Sequence, residues 1–285
     1  VPEAVRARTS QRLKARVRAI LGIEPWPDLA VRHPLFRRLE YRTLREAARV
    51  FDVPRPNKPV LERGHQTSFL LACWFKAAGV RSAFQVGYAD GRHLFYLSRA
   101  GITCGGTDLP PGDTAWVRIP EGSLDDPTLR RLLRIDFFRL TTTELRSVMA
   151  RPGGETVDVL FSEATFETLL PWRSTGVSVP AYAVMDPGAL RALMYERFPA
   201  KLEELSGSVR NMIFIEPEPD AGGAGAVFKA CAMRLPGWAY GVWAFKKPFD
   251  RLFRLSPGHP TSQTVYSFTR DATLLEELRA YAIPQ

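Results

Sequence analysis

Three small residues at alternate positions, Gly87, Ala89 and Gly91, stand between two apolar runs, and Asp108 closes the second run 21 residues after Gly87. Small residues let a ligand lie directly on the backbone of Gly87, Tyr88, Ala89, Asp90 and Gly91. A helix opening at Gly91 points its amide end, where partial positive charge gathers, at the same place. A carboxylate is an acceptor only, so Asp108 at the end of a strand suits the two hydroxyls of a ribose. The stretch reads as a nucleoside site. The dinucleotide fingerprint G-x-G-x-x-G needs a third glycine where Arg92 stands, and arginine there does not fit it.

The elements that must position these residues follow from hydrophobic pattern. A helix is expected over residues 67–78, with Thr67 or Ser68 as cap and Gly79 at its exit. The strand around residues 82–87 follows, then a helix from Arg92 that ends at Gly101, and a strand, ITCGGTD. VDVLFSEA (157–164) and RNMIFIEPE (210–218) are two further apolar runs. Asp186 and Pro187 open a helix as N-cap and first helical residue. GWAYGVWAF and TVYSFTRD are rich in aromatic and β-branched residues and read as late strands. Strand and helix alternate from about residue 67 to 216, which predicts a doubly wound α/β fold with a mostly parallel sheet. No helix is expected between the last strands, so they should form an antiparallel C-terminal pair. The GGAG at 222–225 lacks a following Lys-Ser/Thr and reads as a flexible turn, not a phosphate loop.

Charge and composition bound the remaining choices. The chain of 285 residues is 45% apolar and 24% charged, a core-forming composition, and its net charge is +9. Residues 1–60 hold 14 lysines and arginines against 6 acids. That asymmetry sets off a basic helical N-terminal appendage, residues 1–59, from a main domain over 60–285. Apolar residues recur on one face of residues 4–21, a second helical pattern covers 39–51, and the proline-rich DVPRPNKP (52–59) is a stiff connector. The cysteines, Cys73, Cys104 and Cys231, are odd in number and scattered, which fits reduced thiols and a cytoplasmic setting. The four histidines, His33, His65, His93 and His259, lie far apart and show no metal-ligand spacing. No apolar run is long enough for a transmembrane helix, and the absence of a G-x-S-x-G elbow disfavours an α/β-hydrolase.

With these residues in view, the chain resembles the S-adenosylmethionine-dependent methyltransferases of Rossmann-like fold. FQVGYADGRHLFYLSRAG is similar to their first motif, CGGTDL, including Asp108 and Leu109, to their second, and VDVLFSEATFETL to their fourth strand and active-site loop. In RIDFFRL, Asp136 and Phe137 are similar to the Asp-plus-apolar pair that lies against adenine. The resemblance covers about residues 60–271. It implies S-adenosylmethionine as cofactor, held by Gly87 to Gly91, Asp108, Leu109, Asp136, Phe137 and Ser162. The family usually has an acid where Gln85 stands and often a glycine where Ala89 stands.

Methyl transfer asks the protein mainly to orient the acceptor and exclude water. Glu163, at the end of the fourth strand, and His65, ahead of the helix before the first strand, are the catalytic candidates; a loop-amide contact for Glu163 and a surface position for His65 are the simpler readings. The segment 169–182 reads as a lid over the acceptor, with Trp172 stacking and Arg173 pairing with an acidic group, or else as a loop plugged into the core by Trp172. The expected acceptor is a small or medium-sized organic molecule. A binding protein without turnover and an RNA methyltransferase are the competing readings. The near-neutral main domain and the SEAT after the fourth strand speak against nucleic acid as acceptor. Oligomeric state is left open.

Overall fold

The computed structural model describes residues 68, 71–72, 74–76, 78–109, 132–149, 156–163, 165–166, 185–217, 223–244, 263–273 and 276. The basic segment, its connector, the lid and His65 lie outside the described residues. The described residues between 68 and 76 are helical and form α1. Then follow β1 (Ser82–Val86), α2 (Arg92–Arg99), β2 (Thr103–Asp108), β3 (Leu132–Arg134), a 3-10 turn (Phe137–Arg139), α3 (Thr142–Met149) and β4 (Val157–Glu163). A long helix, α4, starts at Pro187 and ends at Leu205; β5 (Val209–Pro217), α5 (Ala224–Met233), β6 (Ala239–Ala244) and β7 (Gln263–Thr269) complete the chain.

The seven strands form one sheet in the order β3-β2-β1-β4-β5-β7-β6. All pairings are parallel except those of β7, which is antiparallel to both β5 and β6. The expected antiparallel pair is therefore present, but β7 inserts between β5 and β6 instead of extending the edge. Between β5 and β6 no element is expected from the sequence, and helix α5 stands there. Its apolar residues Val227, Phe228 and Cys231 are fully buried, and the GGAG read as a flexible turn instead leads into its first turn at Ala224.

Strand order reverses at β1, which lies between β2 and β4. All five residues of β1 are buried, as a central strand covered on both faces must be. Phe214 stands beside Ser162 in register, so both point to one face of the sheet. That face is covered by rings from α4 and α5: Phe198 and Phe228 pack with Phe166, Phe214 and Tyr266 at centroid distances from 4.3 to 6.1 Å. Phe161 points to the opposite face and meets Phe75 of α1 edge-on at 5.2 Å.

Two local devices shape these elements. Asp186 caps α4 by accepting from the Gly188 and Ala189 amides at 2.8 and 3.0 Å. Pro199, further along the helix, has no N–H and clashes with the carbonyl four residues back; the preceding Leu193–Arg197 segment widens into a π turn that accommodates it. At the amino end of the sheet, the buried Asp158 accepts from the amides of Arg81 and Ser82 at 2.8 and 3.0 Å, and Arg210 faces it at 3.6 Å. This clamp fixes β1 against β4. No helix among the described residues is long and apolar enough to cross a membrane.

Candidate cofactor and acceptor site

The site is the turn between β1 and α2 at the reversal of strand order. Gly87, Ala89 and Gly91 have φ of +72°, +49° and +80°, a conformation that favours glycine. Gly87 is fixed in two ways. Its φ is left-handed, and a Cβ there would collide with the side chain of Thr165, which follows β4. The Thr165 hydroxyl lies 3.2 Å from both Val86 O and Glu163 O, to which it donates. Gly87 thus lets the exits of β1 and β4 touch. Ala89 keeps a methyl group in the left-handed region, where a non-glycine residue costs roughly 1–2 kcal/mol.

Asp108 holds Ala89 there. Its Oδ2 accepts from the Ala89 amide at 2.6 Å and its Oδ1 from the Leu109 amide at 2.7 Å. The turn itself is the structural partner of this charge. Burial pushes the Asp108 carboxyl up from its usual range, and the two amide bonds partly offset the push. Each carboxylate oxygen can accept about two bonds, so capacity for further donors is left on both.

Gln85 is buried one register position before the turn, opposite Gly106 of β2. Its Nε2 donates to Gly87 O at 3.0 Å. Its Oε1 is buried with no hydrogen-bond partner among the described residues. A buried acceptor left without a donor is costly, and this one sits beneath the turn. Gly106 lets α2 and the turn approach β2: a Cβ there would lie 3.1 Å from Leu94 and 3.3 Å from the Tyr88 ring. The close helix–strand approach thus comes from the strand, while Arg92 pairs with Asp90 at 2.6 Å. Asp90 also accepts from the Arg92 amide and so builds the helix start. Tyr88 is buried, and desolvation, then the nearby Asp108 charge, push its hydroxyl up to about 12 against the opposing Arg134.

Adjacent residues at the end of a strand point to opposite faces, and this separates Ser162 from Glu163. Ser162 is fully buried on the ring-cluster face, its hydroxyl 3.4 Å from Oε1 of the buried Glu216. Its side chain therefore does not face the turn. Glu163 shares the face of Gln85 and Asp108, and there it meets His93 of α2, with Oε2 at 3.5 Å from Nε2. Nδ1 of His93 is 2.9 Å from Ser68 Oγ of α1. Sequence reasoning missed His93 and Ser68 as a pair; the available signal was the position of His93 in the first turn after Gly91, at the mouth of the site.

At the end of β3, Asp136 caps the 3-10 turn by accepting from the Phe138 amide at 2.8 Å. Phe137 does not stand beside it facing a ligand. It is buried with Phe166 at 5.3 Å and Phe198 at 6.1 Å, and the half-buried ring is Phe138, beneath the Arg197 guanidinium at 5.4 Å. Leu109 is likewise a core residue. Trp172 and Arg173 lie outside the described residues. Among the described residues no group of three His, Cys, Asp or Glu side chains could hold a metal ion.

No family model matches the sequence, and no curated protein matches it. Solved structures do. A cyclopropane-fatty-acyl-phospholipid synthase-like protein from Lactobacillus casei is 9% identical, with 81% of this chain and 100% of that chain covered at a TM-score of 0.51. Magnesium protoporphyrin IX methyltransferase from Synechocystis, solved with S-adenosylmethionine bound, is 12% identical over 81% of this chain and 91% of its own, at a TM-score of 0.42. A plantazolicin methyltransferase in complex with S-adenosylhomocysteine is 9% identical over 92% and 99%, at 0.43. The fold is Rossmann-like, a seven-stranded, mostly parallel sheet with its antiparallel strand next to last in order, and the likeness to the Lactobacillus casei structure is one of fold.

Proposed function

We propose that this chain transfers a methyl group from S-adenosylmethionine to a small or medium-sized organic acceptor. The observation that supports this reading best is the buried, partnerless Oε1 of Gln85 beneath a left-handed turn tied to Asp108. The residues present fit the cofactor. Asp108 has acceptor capacity for the two ribose hydroxyls, the Gly87–Gly91 turn offers open backbone to the methionine part, and Gln85 Oε1 offers an acceptor to its ammonium group. Asp136 and the neighbouring Phe138 are the proposed adenine contacts. The cofactor supplies an activated methyl group and its own leaving group; the chain binds, orients and keeps water out. Glu163 stands on the same face, where the acceptor must enter, and Trp172 and Arg173 of the lid are the proposed acceptor contacts.

Calorimetric titration with S-adenosylmethionine and S-adenosylhomocysteine tests the reading. Asp108→Asn is the informative variant, because an amide oxygen still accepts from Ala89 N–H and the turn persists. The amide leaves one neutral acceptor oxygen and puts an NH2 donor where the second oxygen stood, which costs about 2 kcal/mol, close to thirtyfold in affinity. Both ligands should weaken together, because both contain the ribose. A wild-type protein that binds neither ligand removes the cofactor from the account and leaves a binding protein on a methyltransferase fold.

A further inference from the structure

We propose that His93 is the general base of the reaction, with Ser68 and Glu163 as its positioning residues, and that the acceptor therefore presents its nucleophile as a hydroxyl. The proposal rests on the methyltransferase reading above. Three residues of two elements, α1 and β4, converge on this one ring of α2. Ser68 of α1 lies 2.9 Å from Nδ1, a full hydrogen bond. Glu163 of β4 lies 3.5 Å from Nε2, beyond hydrogen-bond length but close enough to stabilise a charge. Phe161 lies beneath, with ring centroids 6.5 Å apart. In the tautomer the proposal requires, Nδ1–H donates to Ser68 and Nε2 keeps its lone pair for the acceptor's proton. The His93 and Glu163 side chains remain 14% and 21% exposed, enough for contact with an acceptor. Among the described residues Glu163 is the only charged group against the ring; Ser68 is neutral, and on the turn before it Asp90 is paired with Arg92.

The chemistry follows from that arrangement. His93 Nε2 takes the acceptor's hydroxyl proton as the acceptor oxygen forms its bond to the methyl carbon. The carbon–sulfur bond breaks, its electron pair stays on sulfur, and a methyl ether and S-adenosylhomocysteine result. The positive charge lost at sulfur reappears on the His93 imidazolium, which faces Glu163. An acceptor that arrives already ionised, such as a carboxylate, has no need of this pair.

The test uses the full chain with phenol, catechol and benzyl alcohol as hydroxyl probes and benzoate as the ionised control, reading S-adenosylhomocysteine release alongside calorimetric cofactor affinity. Release should occur with a hydroxyl probe, and its rate should rise with pH through one titration. His93→Gln should lower kcat about 100-fold or more, flatten that rise, and leave cofactor affinity within about threefold; Glu163→Gln should lower kcat less. Nitrogen-15 spectra of the cofactor-free protein should show the Nδ1–H tautomer of His93, lost in Ser68→Ala. Release with benzoate alone or with no hydroxyl probe overturns the proposal while cofactor binding stands. A His93→Gln variant that loses cofactor affinity and keeps kcat overturns it by moving the ring into the cofactor site. Absence of cofactor binding in the wild type removes the methyltransferase reading, and this proposal falls with it.

Discussion

Gln85 and Ala89 are the two residues at which the turn departs from the methyltransferase motif it resembles, and the structure gives each a local reason. Gln85 donates to Gly87 O, which a carboxylate cannot do. Gln85→Glu would set an anion against that carbonyl in a buried site. We expect it to destabilise the cofactor-free protein by about 2–3 kcal/mol at neutral pH. The introduced carboxyl would have its folded pKa raised by burial. Its cost is therefore absent below the ordinary carboxylate range, where a protonated Glu still donates, and grows as pH rises through the raised value. Urea denaturation across pH 4–7 checks this; a variant equally stable at every pH would contradict the assigned bond. Ala89→Gly should relieve the left-handed strain, less the chain entropy that glycine adds, for a net gain of about 0.5–1 kcal/mol. A thermal melt that falls or stays level would show that the alanine methyl is packed, not strained.

At the scale of elements, the sheet rests on contacts distant from the site. Asp158 joins β1 to β4 through two amide bonds at the amino end. Asp158→Ala leaves the buried Ser82 amide without its acceptor and should cost about 2–3 kcal/mol, read as a lower urea midpoint, with cofactor affinity little changed because the turn lies at the other end. Much of this layer was legible in the sequence. Apolar runs, aromatic and β-branched enrichment and punctuating glycines placed β1, β2, β4, β5, β6 and β7, and Asp186-Pro187 placed the start of α4. What escaped had a physical cause. β3 is three residues long and only partly buried, too short for a pattern. Helix α5 is buried along Ala224, Val227, Phe228 and Cys231, and the glycines ahead of it masked its start. The side-chain direction of Ser162 against Glu163, and of Phe137 against Phe138, depends on which face each strand end or turn presents, and composition does not set that. Asp108 was readable by type and spacing, but its bond to Ala89 appears only when the turn folds back over β2.

For the whole molecule, charge and fold divide the chain differently. The first 60 residues hold nearly all of the net positive charge, while the described sheet and helices draw on residues 68–276. We expect removal of residues 1–58 to leave a domain that melts cooperatively, with altered acceptor or partner binding; a product without a cooperative transition would show that the basic segment completes the core.

The cofactor's ribose, if it is held as proposed, ties the whole account to one titration. Burial raises the Asp108 carboxyl, so in the free protein its ionisation costs stability as pH rises through that raised value. A ligand that donates two hydroxyl protons to the carboxylate favours the ionised form and reverses the trend. Calorimetric affinity for S-adenosylhomocysteine, measured from about pH 4, near the ordinary aspartate value, up to neutrality, should tighten with pH in the wild type. In Asp108→Asn it should be weaker and lose that part of the pH dependence. Equal affinity in the two proteins at neutral pH, with the same pH profile, would contradict the placement of the ribose on Asp108.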